Sequence, residues 1–106
     1  MPLTAPAFYL LVALSEGDRH GYAIIKEVDE LTGGEVALLP GTLYRLIKQL
    51  LTDEWIAEVS SAPDDDPRRR YYRLTQRGRK AAEAEARRLE AMVRLARQRR
   101  LLPARV

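Results

Sequence analysis

The chain lacks cysteine altogether and contains a single histidine among its 106 residues. The absence of cysteine excludes a disulfide framework, a thiol switch and a cysteine-ligated metal site. One histidine cannot form a metal centre by itself, and His20 stands in a turn-like stretch just before a candidate helix. We therefore interpret His20 as a local hydrogen-bonding or capping residue, with no metal or catalytic role.

Motifs for catalysis and for membrane insertion are also missing. The sequence has no nucleophile paired with a base, no glycine-rich phosphate loop and no metal-ligand spacing. We therefore predict that the protein is not an enzyme and needs no cofactor. The apolar run at residues 8–14 is too short to span a bilayer and has no basic flank. These absences favour a cytoplasmic protein without a membrane partner.

Basic charge is concentrated in the second half of the chain. Residues 1–54 hold four basic and eight acidic side chains, whereas residues 55–106 hold fourteen basic and seven acidic side chains. The net charges of the two halves are therefore −4 and +7, which add to the total of +3. A concentrated basic surface attracts polyanions. A chain of this length forms one small core, so a long unburied apolar element would indicate a partner subunit.

The most informative stretch is residues 39–51. Pro40 lacks an N–H and fits the first turn of a helix. Apolar residues then recur every three or four positions, as one buried stripe requires: Leu43, Leu46, Ile47, Leu50 and Leu51. The opposite face carries no carboxylate and consists of Thr42, Tyr44, Arg45, Lys48 and Gln49. Such a face is typical of a recognition helix that enters the DNA major groove.

Two further helices are predicted ahead of this stretch. Thr4 is a candidate N-cap for a first helix at residues 5–15, which would end with Gly17 in the C′ position. This helix is apolar nearly all the way round, which indicates burial on several sides. A second amphipathic helix is predicted at residues 21–31, followed by a short extended strand at residues 36–39.

A β-hairpin is predicted after the third helix. Residues 55–59 and 69–74 are rich in aromatic and β-branched types, and a loop with several Pro and Asp residues separates them. Seven basic residues and no acidic residue occur from Arg68 to Lys80. These arginines either pair with the acidic loop residues Asp64, Asp65 and Asp66 or contact a phosphate backbone, and the interleaved tyrosines favour the phosphate contact.

Thr75 is the predicted N-cap of a last helix that extends to about residue 101, before Pro103. The helix is too long to be covered by so small a core, and its apolar positions follow the spacing of a coiled-coil seam. We therefore predict a homodimer in which the partner's first helix covers part of this seam. The predicted interface residues are Phe8, Leu11, Val12, Leu89, Met92, Val93 and Ala96.

Together these elements predict a mainly α (α+β) fold, a winged helix-turn-helix with a long C-terminal dimerisation helix. Residues 1–75 would form the DNA-binding domain and residues 76–106 the dimerisation helix. Two such units would place their recognition helices on a pseudo-palindromic operator in double-stranded DNA. The predicted DNA-contacting residues are Tyr22, Gly41, Thr42, Tyr44, Arg45, Lys48, Arg68, Arg69 and Arg70.

The order of several motifs resembles the PadR-like family of transcriptional regulators. The matching stretches are His20-Gly21-Tyr22, Leu31-Thr32-Gly33-Gly34, Pro40-Gly41-Thr42-Leu43-Tyr44, and Arg69-Arg70-Tyr71-Tyr72-Arg73-Leu74-Thr75 with Gly78. They cover roughly residues 4–80, and the short C-terminal region resembles the smaller subclass of the family. The resemblance implies a homodimeric repressor that is released by a small effector. It also implies that a planar or apolar effector would occupy a cavity in the aliphatic seam between subunits.

Three features depart from the family pattern. Glu54-Trp55 stands where the family usually has Gly-Leu, which predicts an altered helix end or wing angle. The acidic wing loop argues against deep insertion into the minor groove, and the last helix has no tryptophan to stack a planar drug. A winged-helix module that binds an acidic protein is the alternative function. The acid-free face of residues 42–49 and the basic run favour DNA.

Overall fold

The computed structural model describes residues 3–60, 66 and 68–104 of the chain. Within these residues it contains four helices and three short strands. In chain order they are α1 (Ala5–Ala13), β1 (Arg19–His20), α2 (Gly21–Leu31), α3 (Pro40–Thr52), β2 (Ile56–Val59), β3 (Tyr71–Leu74) and α4 (Gln76–Gln98). This is the predicted winged helix-turn-helix with a long last helix. No helix in the described ranges is long and apolar enough to cross a membrane.

Three of the helices begin at a residue whose side chain accepts a hydrogen bond from the first turn. Thr4 Oγ1 accepts from the Ala7 N–H at 3.3 Å, and Thr75 Oγ1 accepts from the Gly78 N–H at 2.9 Å. At the start of α2, His20 Nδ1 accepts from the Ala23 N–H at 3.2 Å. These bonds satisfy amides that have no partner inside the helix, so the interpretation of His20 as a capping residue is confirmed.

The helix ends differ from the predictions in two places. α1 stops at Ala13, two residues short of the predicted end, and the Ser15 hydroxyl donates to the Val12 carbonyl at 2.6 Å. The expected C′ role of Gly17 was therefore wrong, because the helix ends with Leu14 as its C-cap and Gly17 does not adopt a positive φ. α4 stops at Gln98, where Arg100 has a φ of 62° and the Leu101 N–H bonds to the Ala96 carbonyl at 2.8 Å.

The end of α3 corrects the expectation about Glu54. Glu54 has a φ of 61°, in the left-handed region that the family's usual glycine would occupy without strain. The Trp55 N–H bonds to the Leu50 carbonyl at 3.0 Å, and the Glu54 N–H bonds to the Leu51 carbonyl at 3.1 Å. This is the ordinary Schellman end of a helix. The helix end is therefore not altered, and Glu54 adopts the strained conformation instead.

The sheet has three antiparallel strands in the order β1-β3-β2. The predicted hairpin is confirmed as β2 and β3, with Ile56 opposite Leu74 and Val59 opposite Tyr71, although both strands begin later than predicted. The predicted strand at residues 36–39 does not pair, and this stretch runs as coil into α3. The third strand is instead β1, where Arg19 lies opposite Tyr72. Two residues are too few to give a recognisable strand pattern.

The core lies between α1, α2, α3 and the sheet. Its completely buried large side chains are Leu10, Leu11, Ile24, Val28, Leu43 and Ile56. Leu11 is 0% exposed within this one chain, so its side chain is already packed and does not face a partner. The prediction that α1 is buried on several sides is thus explained largely by the chain's own core.

The start of α4 is held against the rest of the chain. Gly78 is buried against the Trp55 backbone, and one turn further along the helix Ala82 packs on the core. Glu85 is buried, and a hydrogen bond from Arg88 lowers the pKa of its carboxyl group. After Glu85 no residue of α4 is buried. The described chain accordingly measures 52 × 27 × 25 Å.

Candidate nucleic-acid interface

Helix α3 divides cleanly into a buried and an exposed face. Leu43, Leu46, Ile47 and Leu50 are all buried, as predicted. Tyr44 is 59% exposed, Arg45 and Lys48 are exposed, and Thr42 is half-buried. Neither Arg45 nor Lys48 forms an ion pair with any described residue. The exposed face of α3 therefore presents two uncompensated cations and two hydroxyl groups.

The first turn of α3 is open to an external acceptor. Leu39 precedes the helix and provides no side-chain cap, unlike the residues that precede the other three helices. Pro40 has no N–H, which leaves the amides of Gly41 and Thr42 for a partner outside the helix. A Cβ placed on Gly41 would meet nothing within 4 Å, so the surface here is unobstructed. Helix starts of this kind favour anions such as phosphate.

Tyr44 is positioned by close packing between α2 and α3. A Cβ on Gly21 would lie 3.3 Å from Leu43 Cδ2 and 3.4 Å from the Tyr44 hydroxyl, so the two helices are in close contact at this point. Tyr22 is 72% exposed beside this contact, and its ring stacks with His20 at a centroid distance of 6.4 Å. A cleft of about 340 Å³ links this corner to the wing. Its lining is His20, Gly21, Tyr22, Tyr44, Arg68, Arg69, Arg70 and Tyr72.

The wing arginines reach this cleft but are partly neutralised. Arg68 Nε lies 3.2 Å from Asp66 Oδ1, and Arg70 Nη1 lies 3.7 Å from Glu58 Oε1. The Arg68 and Arg70 side chains remain 89% and 75% exposed, so both are accessible to a ligand. The sequence left two roles open for the basic run, pairing with the acidic loop or contact with a phosphate backbone. The ion pair between Arg68 and Asp66 corresponds to the first role. Residues Asp64 and Asp65, which belong to the predicted acidic loop, lie outside the described residues.

The ion pair between Arg73 and Asp18 was not anticipated from the sequence. Arg73 Nε donates to Asp18 Oδ1 at 3.0 Å and Arg73 Nη2 donates to Asp18 Oδ2 at 2.8 Å, across 55 residues of sequence. These charge-assisted bonds lower the pKa of Asp18. Asp18 directly precedes β1, so the pair fixes the edge strand to β3. Arg73 thereby helps to hold the wing in place.

Tyr72 forms the floor beneath the wing. Its side chain is 4% exposed and burial raises the pKa of its hydroxyl. The neighbouring Tyr71 ring meets the His20 ring edge-on at 5.3 Å. Tyr71 and Tyr72 therefore contribute packing that fixes the wing against the start of α2, while Tyr22 and Tyr44 supply the exposed aromatic surface.

Apart from the buried Leu11, the predicted dimer residues are half-buried or exposed, and they lie on α1 and α4. On α4, Met92 is 53% exposed, Val93 is 37% exposed and Leu95 is 60% exposed, so this helix leaves an apolar surface uncovered. Leu89 and Ala96 are half-buried on the same helix, and Phe8 and Val12 are half-buried on α1. Monomeric proteins seldom leave such apolar patches on an extended helix. Among the described residues, no cluster of three or more His, Cys, Asp or Glu side chains is placed to hold a metal ion.

Residues 10–84 match the model of the family described as "Transcriptional regulator PadR-like family". A protein of Lysinibacillus sphaericus, described as uncharacterized protein X, is 31% identical over 70 residues, which is 66% of this chain and 64% of that protein. The chain thus aligns with less than two thirds of the length of this relative. A PadR family transcription regulator of Clostridium difficile R20291 is 27% identical with a TM-score of 0.76, covering 87% of this chain and 94% of that one.

A more distant likeness concerns the fold alone. Bacillus subtilis PadR, whose structure was determined in complex with operator DNA, is 20% identical with a TM-score of 0.67. The likeness covers 76% of this chain and 46% of that protein. The winged-helix part is therefore shared, while more than half of the Bacillus chain has no counterpart in the alignment.

Proposed function

The chain belongs to the PadR-like family of transcriptional regulators, and from this premise we propose that it is a homodimeric, DNA-binding repressor released by a small effector. The observation that carries the DNA-binding proposal is the exposed face of α3. It combines an uncapped first turn, the unpaired cations Arg45 and Lys48, and the exposed ring of Tyr44. A phosphate or a base edge supplies the acceptors that this face lacks within the chain.

The individual contacts follow from the position of each side chain. We expect Arg45 to read a guanine edge, because a guanidinium pairs with the O6 and N7 acceptors in a bidentate geometry. We expect Lys48 and the open amides near Gly41 to bind phosphate. Thr42 and the hydroxyl groups of Tyr22 and Tyr44 would complete the polar contacts around the start of the helix.

The wing would contribute backbone contacts from Arg68, Arg69 and Arg70. Arg68 and Arg70 each have an acidic neighbour, and both remain mostly exposed. A phosphate at this surface would compete with Asp66 and Glu58 for the guanidinium groups, so each contact would contribute less than that of an unpaired arginine. The wing would therefore position the protein on the duplex more than it would strengthen binding.

Dimerisation is supported by the uncovered apolar surface of α4. A second copy placed on this surface would bury Leu89, Met92, Val93 and Ala96 together with the half-buried Phe8 and Val12 of the partner. Two recognition helices related by a two-fold axis would then meet two half-sites of a pseudo-palindromic operator. Occupying such a site near a promoter blocks transcription, which is the proposed repressor activity.

A salt titration of duplex binding tests the proposal. The logarithm of the binding constant should fall linearly with the logarithm of the salt concentration, with a slope of about −0.9 for each phosphate neutralised. Replacing Arg68, Arg69 and Arg70 together with alanine should make the slope less steep by up to about three units. Arg94→Ala on α4, far from the cleft, is the matched control and should leave the slope unchanged.

Two results would contradict the proposal. A binding constant that hardly depends on salt would mean that phosphate contacts do not drive binding. Failure to bind any duplex, together with salt-sensitive binding of an acidic protein, would instead favour the alternative of a protein-interaction module. An unchanged slope in the triple variant alone would show that Asp66 and Glu58 keep the wing away from the phosphates.

A further inference from the structure

Gln49 is an exposed polar residue in the third turn of α3, between Lys48 and the buried Leu50. Its side-chain amide forms no hydrogen bond with any described residue. An amide carries two donors on its nitrogen and an acceptor oxygen, so all of these groups are open to a molecule outside the chain. Gln49 is therefore available to contact whatever covers this face of α3.

Gln49 shares one flank of α3 with two other polar residues. Thr42, Arg45 and Gln49 follow one another at intervals of three and four residues, and all three line a concavity between α3 and the start of α1. Tyr44 lines the wing cleft on the other flank. At a rise of about 1.5 Å per residue, the stripe from Thr42 to Gln49 extends roughly 10 Å, which corresponds to about three base-pair steps.

The chemistry of Gln49 differs from that of the other polar residues on the exposed face. Arg45 and Lys48 only donate hydrogen bonds, and the hydroxyl groups of Thr42 and Tyr44 each act through a single atom. Gln49 has a donor and an acceptor side by side in one planar group. In the major groove, adenine presents the N7 acceptor next to the N6 donor, and a glutamine amide pairs with both.

Asp53 marks the end of this flank. It is the exposed C-cap residue of α3, one turn after Gln49, and it forms no ion pair within the described part of the chain. Its carboxylate repels a phosphate backbone, whereas the uncapped first turn of α3 attracts one. We therefore expect α3 to enter the groove with its first turn foremost and Gln49 to be the last residue of the stripe to reach a base.

We propose that Gln49 determines specificity by reading an adenine that lies one or two base pairs from the guanine read by Arg45. The two residues are four positions apart, about 6 Å along the helix axis, which falls between one and two base-pair steps. This inference rests on the proposed function, because it requires α3 to lie in the major groove. Each half-site of the operator then contains both bases at that spacing, in an order fixed by the direction of α3.

Selection from a library of randomised duplexes tests the inference. The wild type should select half-sites that contain the adenine and the guanine at the stated spacing. Gln49→Ala should keep the guanine and lose the preference for adenine, and Gln49→Arg should select guanine in place of that adenine, because a guanidinium pairs with the O6 and N7 acceptors. Gln98→Ala makes the same change at an exposed position of α4 and should retain both preferences.

A modified base identifies the contact. Replacing the selected adenine with 7-deazaadenine removes the N7 acceptor and keeps the Watson–Crick pairing. It should weaken binding of the wild type by about tenfold for each half-site, and it should hardly change the affinity of Gln49→Ala.

The results separate this inference from the proposed function. If Gln49→Ala selects the same adenine as the wild type, or if 7-deazaadenine weakens both proteins equally, the inference is overturned while DNA binding stands. A wild type that enriches no duplex sequence and binds no duplex overturns the proposed function and this inference with it.

Discussion

Gly78 in the first turn of α4 lies directly against the backbone carbonyl of Trp55. A Cβ at Gly78 would overlap the Trp55 carbonyl oxygen and would lie 2.9 Å from Leu74 Cδ1. The same oxygen accepts a hydrogen bond from the Thr75 N–H at 3.1 Å. This contact joins the end of α3, the wing and the last helix at one point. Glycine is needed at position 78 because there is no room for a Cβ, and not because the backbone adopts a conformation that only glycine favours.

Gly78→Ala should therefore separate α4 from the wing. Because the two nearest obstructing atoms belong to the Trp55 backbone, the main chain itself would have to shift, and we expect a loss of about 1–3 kcal/mol in the free energy of unfolding. Gly17→Ala is the matched control, since a Cβ there meets nothing within 4 Å. Denaturant unfolding of the two variants compares them. Equal stability of both would mean that the packing around Trp55 relaxes easily.

Glu54→Gly should stabilise the protein. Glu54 holds a left-handed conformation that costs a non-glycine residue about 1–2 kcal/mol, part of which is offset by the greater unfolded-state freedom of glycine. We expect a net gain of about 0.5–1 kcal/mol. Glu54→Ala is the control, because it removes the 3.7 Å ion pair with Arg77 but keeps the strain. A gain in both variants would show that the side chain, not the backbone, is unfavourable.

Arg45→Ala and Lys48→Ala should affect DNA binding in different ways. A bidentate contact to guanine contributes about 1–3 kcal/mol of discrimination, so losing Arg45 should bring operator and random duplex closer in affinity. Losing a phosphate contact at Lys48 should weaken binding to both by the same factor. Competition binding with the two duplexes measures each ratio. If both variants bind operator and random duplex with the affinities of the wild type, α3 does not read the operator.

Leu89→Glu should disrupt the proposed dimer. Burying a leucine side chain contributes about 1.5–3 kcal/mol, and a carboxylate at that position adds a desolvation cost. The expected results by analytical ultracentrifugation are a dimer for the wild type and a monomer for the variant, with loss of operator binding. Ala84→Glu introduces the same charge at an exposed position of α4 and should remain dimeric. A monomeric wild type at micromolar concentration would rule out the dimer.

The ion pair of Asp18 and Arg73 should make stability depend on pH in the acidic range. The pKa of Asp18 is lowered in the folded state, chiefly by the hydrogen bonds from Arg73, so the pair stabilises the fold above the ordinary pKa of 3.8. This contribution is lost as the pH falls through the lowered value. The stability difference between the wild type and Asp18→Asn should therefore shrink on acidification. Asp29→Asn controls for the removal of one exposed carboxylate, and a constant difference would contradict the pairing.

The sequence by itself determined the features that depend on neighbouring residues. The bounds of α2, the caps at Thr4 and Thr75, and the buried stripe from Leu43 to Leu50 follow from spacing within one helix, which short-range geometry fixes. The exposed polar face of α3, on which the DNA-binding proposal rests, was predictable for the same reason. The family motifs added the order of the elements along the chain.

Only the tertiary structure decided the features that join distant residues. β1 exists because β3 offers its free edge to Arg19 and His20, and two residues alone carry no strand signal. The run at residues 68–80 contains no acidic residue, yet Arg70 and Arg73 form ion pairs there. Their acidic partners are supplied by another strand and by a loop of the fold. Leu11, which was predicted to lie in a dimer interface, is buried in the chain's own core because α1 packs against α2 and α4. Sequence spacing cannot rank such contacts, since each depends on which surfaces the folded backbone brings together.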